Sequence, residues 1–333
     1  MLLSIVGVFL MLSVLPRSIG RSAARGGVRC VSTAHAQAAV ELVEKVDYEH
    51  YAVGLFFPEH ARPAYLAVRA YNAEVSTIRD MVHGNQLTGR MRFQFWRDAL
   101  ESIYEGKPVP QQPTAIALAD ACRGSRIGRQ WLERCLNAKE ADMEDQDFNN
   151  ISDLEEYAEA AFSSLIYSSV ECLGVEETGS INTAASHLGI AEGMITLLRG
   201  IPFTAAAEKR VVVPRWVMAK SNAKDEHFFD AASDPNAFGV EAKNAIFEIA
   251  SVANSHLRAA HDLADELPQD VLPAFLPALI VTDYLDELEG ADFNVFDPAL
   301  RGRSKRGWHT LKFLWKMRQR SKRGMPFGEK NGE

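Results

Sequence analysis

Residues 67–80 read AVRAYNAEVSTIRD, and residues 193–204 read GMITLLRGIPFT; these two stretches decide the fold class of the chain. Apolar residues recur in both at intervals of three and four, which is the period of one face of an α-helix. The same period runs through almost every other segment, and no run alternates like a strand bounded by hairpin signals. No repeat of fixed length is visible. The sequence therefore predicts an all-α protein with a single compact helical domain.

Proline, glycine and capping residues predict where the helices begin and end. Ser152 followed by Glu155 has the pattern of an N-terminal capping box. Pro202 is expected to disrupt the helix that holds the second stretch, so that residues 202–207 form a loop. The predicted helices are 40–57 (or two shorter ones), 62–82, 91–104, 114–122, 128–143, 152–173, 182–198, 214–220, 240–264, 274–289 and 308–320.

Both stretches belong to a wider similarity to a known family. Further matching segments are MRFQFWRD at 91–98, GKP at 106–108, LEEYAE at 154–159, LG at 173–174 and VVVP at 211–214. Together they resemble the squalene and phytoene synthases over residues 41 to 290. The resemblance implies a single compact helical domain of the isoprenoid-synthase type, which we assign to residues 41–297.

The resemblance also implies a site, because each stretch in that family holds two acids four residues apart that bind magnesium diphosphate. The corresponding positions here are Ser76, Asp80, Gly200 and Thr204, so one carboxylate of four remains. Magnesium requires hard oxygen ligands, usually carboxylates, and residues four apart on a helix share a face. Without the ions, a leaving diphosphate loses several kcal/mol of stabilisation. We therefore predict no catalytic residue, no metal ligand, no cofactor and no enzyme activity.

Other catalytic patterns are also missing. The nine histidines show no zinc-ligand spacing, and Ser163-Ser164 lacks the Gly-x-Ser-x-Gly elbow of a hydrolase, so we expect it to allow close helix packing. Arg199 is expected to pair with a neighbouring acid. The cysteines contain no CxxC pair and are predicted to be reduced and buried; they are Cys30, Cys122, Cys135 and Cys172.

The amino-terminal segment has the composition of a targeting sequence. No acid precedes Glu41, whereas Arg17, Arg21, Arg25 and Arg29 follow one another at intervals of four. Such a basic, acid-free segment is typical of a mitochondrial transit peptide, which we assign to residues 1–35 with processing near residue 31. The apolar run at residues 1–15 leaves a secretory signal or a short membrane anchor as the alternatives.

The carboxyl-terminal segment, residues 298–333, is basic although the body is acidic. Residues 41–297 carry 21 Lys and Arg against 42 Asp and Glu, a net charge of −21, whereas residues 298–328 contain ten basic residues and no acid. A basic amphipathic helix can lie on an anionic membrane, where each Lys or Arg contributes about 1 kcal/mol. The acidic body argues against nucleic acid as a partner. The residues predicted to touch the membrane are Arg301, Arg303, Lys305, Arg306, Trp308, Lys312, Trp315 and Lys316.

An alternative for this helix is that its apolar side, formed by Trp308, Leu311, Leu314 and Trp315, packs on the protein's own core. In that case the basic residues are simply solvated.

Departures from the family pattern point to one branch. The segments DYE at 47–49, AASHLG at 184–189 and DFNVFDP at 292–298 resemble a non-catalytic branch that helps to build mitochondrial respiratory complex I. The resemblance implies an assembly factor on the matrix side of the inner membrane, with assembly intermediates of the membrane arm as partners. Its small-molecule ligand is unknown. Two alternatives stay open: a divergent isoprenoid synthase, and a prenyl-lipid binding protein.

Overall fold

The computed structural model describes residues 33–82, 85–144, 147–176, 178–300 and 307–328, without the side chains of residues 33 and 307–311. Over these residues the chain is helical and contains no strand, as the sequence predicted. None of the described helices is both long and apolar enough to cross a membrane. The predicted transit peptide, residues 1–35, lies almost entirely outside the described residues.

Fifteen α-helices are found in the described part of the chain. The first eight are α1 (Thr33–Val46), α2 (Tyr48–Gly54), α3 (Arg62–Ser76), α4 (Ile78–Val82), α5 (Gln86–Tyr104), α6 (Pro113–Gly124), α7 (Arg129–Asp142) and α8 (Ile151–Ala158). The others are α9 (Ser164–Leu173), α10 (Gly179–Phe203), α11 (Arg215–Lys220), α12 (Asp225–Ser233), α13 (Val240–Asp262), α14 (Ala278–Gly290) and α15 (Gly307–Arg323). Short 3₁₀ turns at Pro235–Ala237, Ala264–Glu266 and Gln269–Phe275 connect some of them.

The first of the two stretches lies on α3, one of the most buried helices. Tyr65, Val68 and Tyr71 are enclosed, and the Tyr71 hydroxyl donates to the carbonyl oxygen of Leu132 at 2.9 Å. The predicted helix 62–82 is interrupted at Thr77, whose hydroxyl donates to the carbonyl oxygens of residues 73 and 74. Such back-bonding offers the chain an alternative to the helical hydrogen bonds, so α4 begins as a separate short helix.

The capping-box prediction was wrong by two residues. Asn150 caps α8, its side chain accepting from the backbone N–H of Asp153, while the Asp153 carboxylate accepts from the backbone N–H of Asn150. The predicted helix 152–173 is divided by a π-helical turn, Glu159–Ser163, between α8 and α9. Hydroxyls of Tyr167 and Ser186 donate to the Glu159 carboxylate at 2.9 and 2.8 Å, which fixes this turn against α10.

The second stretch lies in the longest helix, α10, and here too the prediction was wrong. The helix does not end before Pro202; it continues to Phe203 and passes into a π-helical turn, Thr204–Glu208. Proline lacks one N–H donor, but this loss falls in the last turn of a 25-residue helix. Leu198 and Ile201 are fully buried there, so tertiary packing holds the turn in place.

Helix α10 packs against α13 and against the π turn that precedes α9. At the closest approach Gly189 faces the backbone of Ser163, where a Cβ would clash. The Ser163 hydroxyl donates to the carbonyl oxygen of Ser186 at 3.0 Å. This contact confirms the predicted close helix packing for Ser163.

The carboxyl-terminal helix α15 packs on the body, and of the apolar side named in the sequence analysis Leu314 packs against the core while Trp315 does not. Phe313 and Met317 are buried, whereas Trp315 is half exposed. The Lys316 ammonium pairs with Asp283 on α14 at 2.6 Å. The helix therefore docks through its Phe313 side and leaves Trp315 on the outside.

Candidate functional site

The four positions that the sequence resemblance assigned to the acids of the synthases lie near one another in the chain's two motif segments. Ser76 ends α3, Asp80 is on α4, Gly200 is in the last turn of α10, and Thr204 begins the π-helical turn after it. The Ser76 hydroxyl donates to the side-chain oxygen of Asn72 at 3.2 Å, and the Thr204 hydroxyl donates to a backbone carbonyl oxygen. Gly200 has open space where a Cβ would stand. Asp80 is the one carboxylate, and it is exposed. Partial burial and the nearby charge of Glu208 raise its pKa.

An ionic cluster, which we call the outer network, joins the end of the first stretch to the segment that follows the second stretch. Nε and Nη2 of Arg79 lie 3.1 and 2.9 Å from Oε2 of Glu208, so that α4 is tied to the turn after α10. Arg79 also donates to the backbone carbonyl of Asp142 at 2.6 Å, and Arg210 pairs with the Asp142 carboxylate at 2.7 Å. The carboxylates of Glu208 and Asp142 thus have arginine partners. In the described part of the chain, no three His, Cys, Asp or Glu side chains are placed to hold a metal ion.

A second cluster, the inner network, lies among different elements. Its members are Asp47, His50, Arg69 and Glu192, from the α1–α2 junction, α2, α3 and α10. Arg69 Nη2 and His50 Nδ1 lie 2.6 and 2.8 Å from the two oxygens of Asp47. Oε1 of Glu192 lies 3.0 Å from His50 Nε2 and 3.8 Å from Arg69 Nη1. Two acids face two bases, so the cluster is neutral when His50 is protonated.

Burial and mutual attraction decide the protonation of the inner network. Burial by itself raises the pKa of Asp47, but the charges of His50 and Arg69 outweigh it and hold that pKa well below its usual range. Burial and Arg69 favour neutral His50, yet Asp47 and Glu192 prevail and raise the pKa of His50 to about 9. Glu192 has a lowered pKa because His50 and Arg69 overcome the effect of burial. All four groups are therefore charged at neutral pH.

The inner network leaves two buried polar atoms without a hydrogen-bond partner. They are Oε2 of Glu192 and Nε2 of His50. The latter is within ion-pair distance of Glu192 but is not aligned for a hydrogen bond. An unsatisfied buried polar atom costs about 1–3 kcal/mol, so the attraction within the network offsets a real cost.

Lys139 on α7 places an amine over an aromatic surface near the inner network. Its Nζ lies 4.4 Å from the ring centre of Phe162 and 5.9 Å from that of Tyr157. Burial lowers the pKa of Lys139, while Glu192 and Arg69 are among the charges that act on it. The arrangement is a cation–π contact of the kind that contributes about 0.5–2 kcal/mol.

Several residues noted in the sequence have the surroundings that were predicted. Arg199 pairs with Glu49 at 2.8 Å, which confirms the expected ion pair. Cys135 and Cys172 are free and buried, and Cys122 is free and partly buried, whereas Cys30 lies outside the described residues.

The predicted membrane-contact residues have different surroundings. Lys312 is exposed, Trp315 is half exposed and Lys316 is tied to Asp283. The side chains outside the described part of the chain are those of Arg301, Arg303, Lys305, Arg306 and Trp308.

Sequence reasoning missed the histidines that matter to the packing of this structure. His50 belongs to the inner network, and His187 on α10 lies 2.8 Å, between Nδ1 atoms, from His256 on α13. The other ring nitrogen of His256 contacts Glu155 at 2.9 Å. Asp47 lies three residues before His50, a helical spacing that could have signalled this contact. Glu192, and the partners of His187 and His256, are distant in the chain, so no local spacing signals those contacts.

A surface groove of about 750 Å³ lies elsewhere, between α13 and α14. Phe247 and Leu285 contribute apolar surface, and the charged side chains of its lining include Asp286, Glu289 and Arg258. No residue of the inner or outer network lines this groove.

The helical arrangement, with two opposed motif helices, defines the class: an isoprenoid-synthase fold. A ligand-bound crystal structure of a dehydrosqualene synthase superposes with a TM-score of 0.73, 17% identity, and coverage of 87% of this chain and 98% of that one. A squalene synthase, HpnC from Alicyclobacillus acidocaldarius, gives a TM-score of 0.68, 16% identity, and coverage of 80% and 97%. At such identities the likeness shows the fold alone.

The sequence comparison shows the family. The squalene/phytoene synthase family profile matches residues 43–308, and the chain belongs to that family. The protein from Bos taurus called NADH dehydrogenase (ubiquinone) complex I, assembly factor 6 is 34% identical over 286 residues, which are 86% of this chain and 83% of that protein. The Drosophila melanogaster homolog of that factor is 35% identical over 275 residues, 80% of this chain and 79% of that protein. The resemblance to this branch is confirmed.

Proposed function

We propose that this protein is a non-catalytic assembly factor for mitochondrial respiratory complex I that acts at the matrix face of the inner membrane. The assembly role rests on the relatives from Bos taurus and Drosophila melanogaster, whose names state it. The observation that carries the non-catalytic part is the ion pair between Arg79 and Glu208. It joins the first stretch to the turn that begins at Thr204, and of the four positions that we assign to acids only Asp80 keeps a carboxylate.

The charges around these positions do not favour diphosphate chemistry. Ionising an allylic diphosphate requires cations that neutralise the leaving group, and metal ions supply several kcal/mol of that stabilisation. Each 1.36 kcal/mol changes the rate tenfold. Here a metal ion would have to displace Arg79 from Glu208 and Arg210 from Asp142, which are already close, partly buried pairs.

The protein is imported into mitochondria and contacts the inner membrane and assembly intermediates. Residues 1–35 direct import, residues 41–297 form the body, and residues 298–333 contact the anionic inner membrane. Exposed Lys312 and half-exposed Trp315 support this contact, while Lys316, tied to Asp283, contributes less. The partners are assembly intermediates of the membrane arm.

A deletion-and-rescue experiment tests the proposal. Deleting the protein is expected to abolish assembled complex I on native gels, and the wild-type chain restores it. Asp80→Asn removes the remaining motif carboxylate from an exposed position, so the fold is kept and full rescue is expected. Asp98→Asn, an exposed carboxylate on α5, is the matched control.

The same variants discriminate the enzyme alternative. Purified wild-type protein is expected to show no magnesium-dependent turnover of farnesyl or geranylgeranyl diphosphate. Turnover that Asp80→Asn abolishes, together with failed rescue by Asp80→Asn and not by Asp98→Asn, would establish a divergent isoprenoid synthase. Fractionation of the protein outside mitochondria would contradict the location.

Lys139 favours a second candidate, a prenyl-lipid binding protein. Its ammonium over two aromatic rings offers a cation beside apolar surface, which suits an isoprenoid with a polar head. Mass spectrometry of an organic extract of the purified protein tests it. A prenyl lipid that co-purifies with the wild type and is lost from Lys139→Met would support this candidate, and an empty extract would exclude it.

A further inference from the structure

Helix α15 faces the body with its apolar side and with part of its positive charge. Phe313 and Met317, four residues apart and so on one face of the helix, are 8% and 0% exposed. Beside them, the Lys316 ammonium lies 2.6 Å from the Asp283 carboxylate on α14. Arg320, one turn further along, lies on the same side of the helix.

The chain turns back after α15 and extends this contact. The Phe327 side chain is 6% exposed, and its ring stacks on that of His261 with 5.7 Å between the ring centres. Nη1 of Arg320 donates to the carbonyl oxygen of Pro326 at 2.9 Å, which holds the turn against the helix. We call the helix and this turn, residues 307–328, the strap.

The strap is docked on an acidic helix. Helix α15 contains six Lys and Arg and no acid, whereas α14 contains no base and four acids, Asp283, Asp286, Glu287 and Glu289. Attraction between the two helices therefore contributes to docking, and salt weakens a contribution of this kind. An anionic membrane surface attracts the same basic residues, so it competes with α14 for the helix.

The docked strap includes a cation without a close carboxylate. Arg320 is partly buried, and in the part of the chain that the structure describes no carboxylate lies within ion-pair distance of it. Burial lowers the pKa of Arg320, and the more distant charges of Asp283 and Asp286 oppose that effect only in part. Removing a guanidinium from water without a close anion is unfavourable. A lipid phosphate offers such a group a bidentate partner.

The apolar side of α15 cannot contact the body and a membrane at the same time. An interfacial helix buries that side at the boundary between headgroups and acyl chains, whereas Phe313 and Met317 are buried in the body. Lys312, Trp315 and Lys322 are exposed on the opposite side of the docked helix. They suit a first contact with lipid, and full contact requires the helix to leave the body.

We propose that the strap is a releasable element: it docks on α14 in the free protein and transfers its basic and apolar side to anionic phospholipid at the membrane. This inference rests on the membrane contact of residues 298–333 proposed above, and it adds that docking restrains that contact. Release also takes Phe327 out of the lining of the groove between α13 and α14, so membrane binding opens that groove.

Zero-length carbodiimide cross-linking tests the release, because it joins a lysine amine to a carboxylate only when the two are in contact. The purified mature chain is cross-linked alone, with phosphatidylcholine vesicles, and with vesicles that also contain phosphatidylglycerol. We expect the anionic vesicles to reduce the Lys316–Asp283 cross-link about threefold or more, and the neutral vesicles to leave it unchanged. The Lys220–Glu248 pair, at 2.7 Å, is the matched internal control and should not change.

A variant of the body tests the restraint without altering the strap. Asp283→Asn removes the partner of Lys316, and it should raise the affinity for anionic vesicles in a sedimentation assay about threefold or more. Glu248→Gln removes the same charge from the pair with Lys220 and should bind like the wild type. Lys312→Gln/Trp315→Ser should weaken binding because it removes the first contact with lipid.

The possible failures separate the strap from the membrane contact. Binding to anionic vesicles with an unchanged Lys316–Asp283 cross-link would overturn the strap and leave the membrane contact in place. Equal affinities of Asp283→Asn and Glu248→Gln would do the same. An equal loss of both cross-links would also overturn the strap, because the vesicles would then act on the whole protein. If the wild type and Asp283→Asn both fail to sediment with anionic vesicles, the proposed membrane contact itself is wrong.

Discussion

Arg69 on α3 and Glu192 on α10 face each other inside the protein, with Nη1 of the arginine 3.8 Å from Oε1 of the glutamate. The two side chains are only 4% and 3% exposed. His50 and Asp47 complete the cluster from the amino-terminal side. The helices that carry the two altered stretches are thus joined by buried charges, and the stability of the fold depends on their balance.

Removing one charge from this cluster should be costly. Glu192→Gln leaves Arg69 and His50 with Asp47 as the sole acid, and breaking a buried pair in this way typically costs about 3–5 kcal/mol. We expect a loss of about 3 kcal/mol or more in the free energy of unfolding, measured by urea denaturation. Glu248→Gln breaks the exposed pair with Lys220 and should cost less than about 1 kcal/mol. Equal losses in the two variants would contradict the role of the inner network.

The pKa of His50 predicts how stability changes with pH. Despite burial and Arg69, the acids around His50 raise its pKa from 6.5 to about 9. The folded state therefore holds this proton more tightly than the unfolded chain. The resulting stabilisation is complete below pH 6.5 and is lost as the pH rises through about 9.

Urea denaturation across this range tests the effect of His50. The wild type should lose about 3 kcal/mol, since one pKa unit corresponds to 1.36 kcal/mol. His50→Gln should be less stable at the lower end and show a flatter profile. His60→Gln, at an exposed position, should keep the wild-type slope. A wild-type profile that is flat over this interval would contradict a protonated His50.

The His187–His256 contact predicts that stability falls as the pH is lowered, whereas His50 predicts that it falls as the pH is raised. Burial and the nearby His256 lower the pKa of His187 from 6.5. The unfolded chain therefore takes up this proton more readily, so the stabilisation is present above pH 6.5 and is lost as the pH falls below it. Replacing His256 by Asn should reduce the acid sensitivity of thermal unfolding. Unaltered sensitivity would show that the pair does not limit stability at low pH.

Two glycines in α10 should respond to alanine in opposite ways. A Cβ at Gly189 would clash with the backbone of Ser163, whereas one at Gly200 meets nothing within 4 Å. Gly189→Ala should destabilise the protein by about 1–3 kcal/mol because the helices must move apart. Gly200→Ala should be neutral or stabilise it by up to about 1 kcal/mol, since alanine favours the helix. The measurement is the thermal unfolding temperature of both variants. A lower unfolding temperature for Gly200→Ala would contradict the open space at this position.

Docking of the carboxyl-terminal helix α15 can be tested by substituting one residue on its buried side and one on its exposed side. Met317 is fully buried, and Met317→Ala should cost about 2–5 kcal/mol. Trp315 is half exposed, and Trp315→Ala should cost much less. Hydrogen exchange of α15 should increase in the first variant and not in the second. Similar exchange in both would contradict docking through the Met317 side.

Much of the secondary structure could be predicted because its causes are local. The stops after α5 and α9 and the short helix after Pro214 follow from glycine, proline and the apolar period. The errors occur where distant contacts compete with local preference. Pro202 stays helical because Leu198 and Ile201 are buried. The N-cap of α8 is Asn150 and not the predicted Ser152, because Asp153 is placed to complete a capping box with Asn150.

The altered motif stays a prediction that the sequence made without coordinates, from Ser76, Gly200 and Thr204 at positions assigned to acids. The sequence did not predict what lies around them. Arg79 meets Glu208, and His50 meets Glu192, across long stretches of chain. No spacing rule links such residues, because their proximity depends on how α2, α4 and α10 pack.

By itself, the sequence determined the helical class and the family, because both depend on residue types and short-range periodicity. Only the tertiary structure decided that buried charges join the two motif helices and that Phe313 and Met317 dock the last helix. These features depend on which surfaces meet when the helices pack. The surroundings of each side chain are therefore set by residues that are distant in the sequence as well as by its own type.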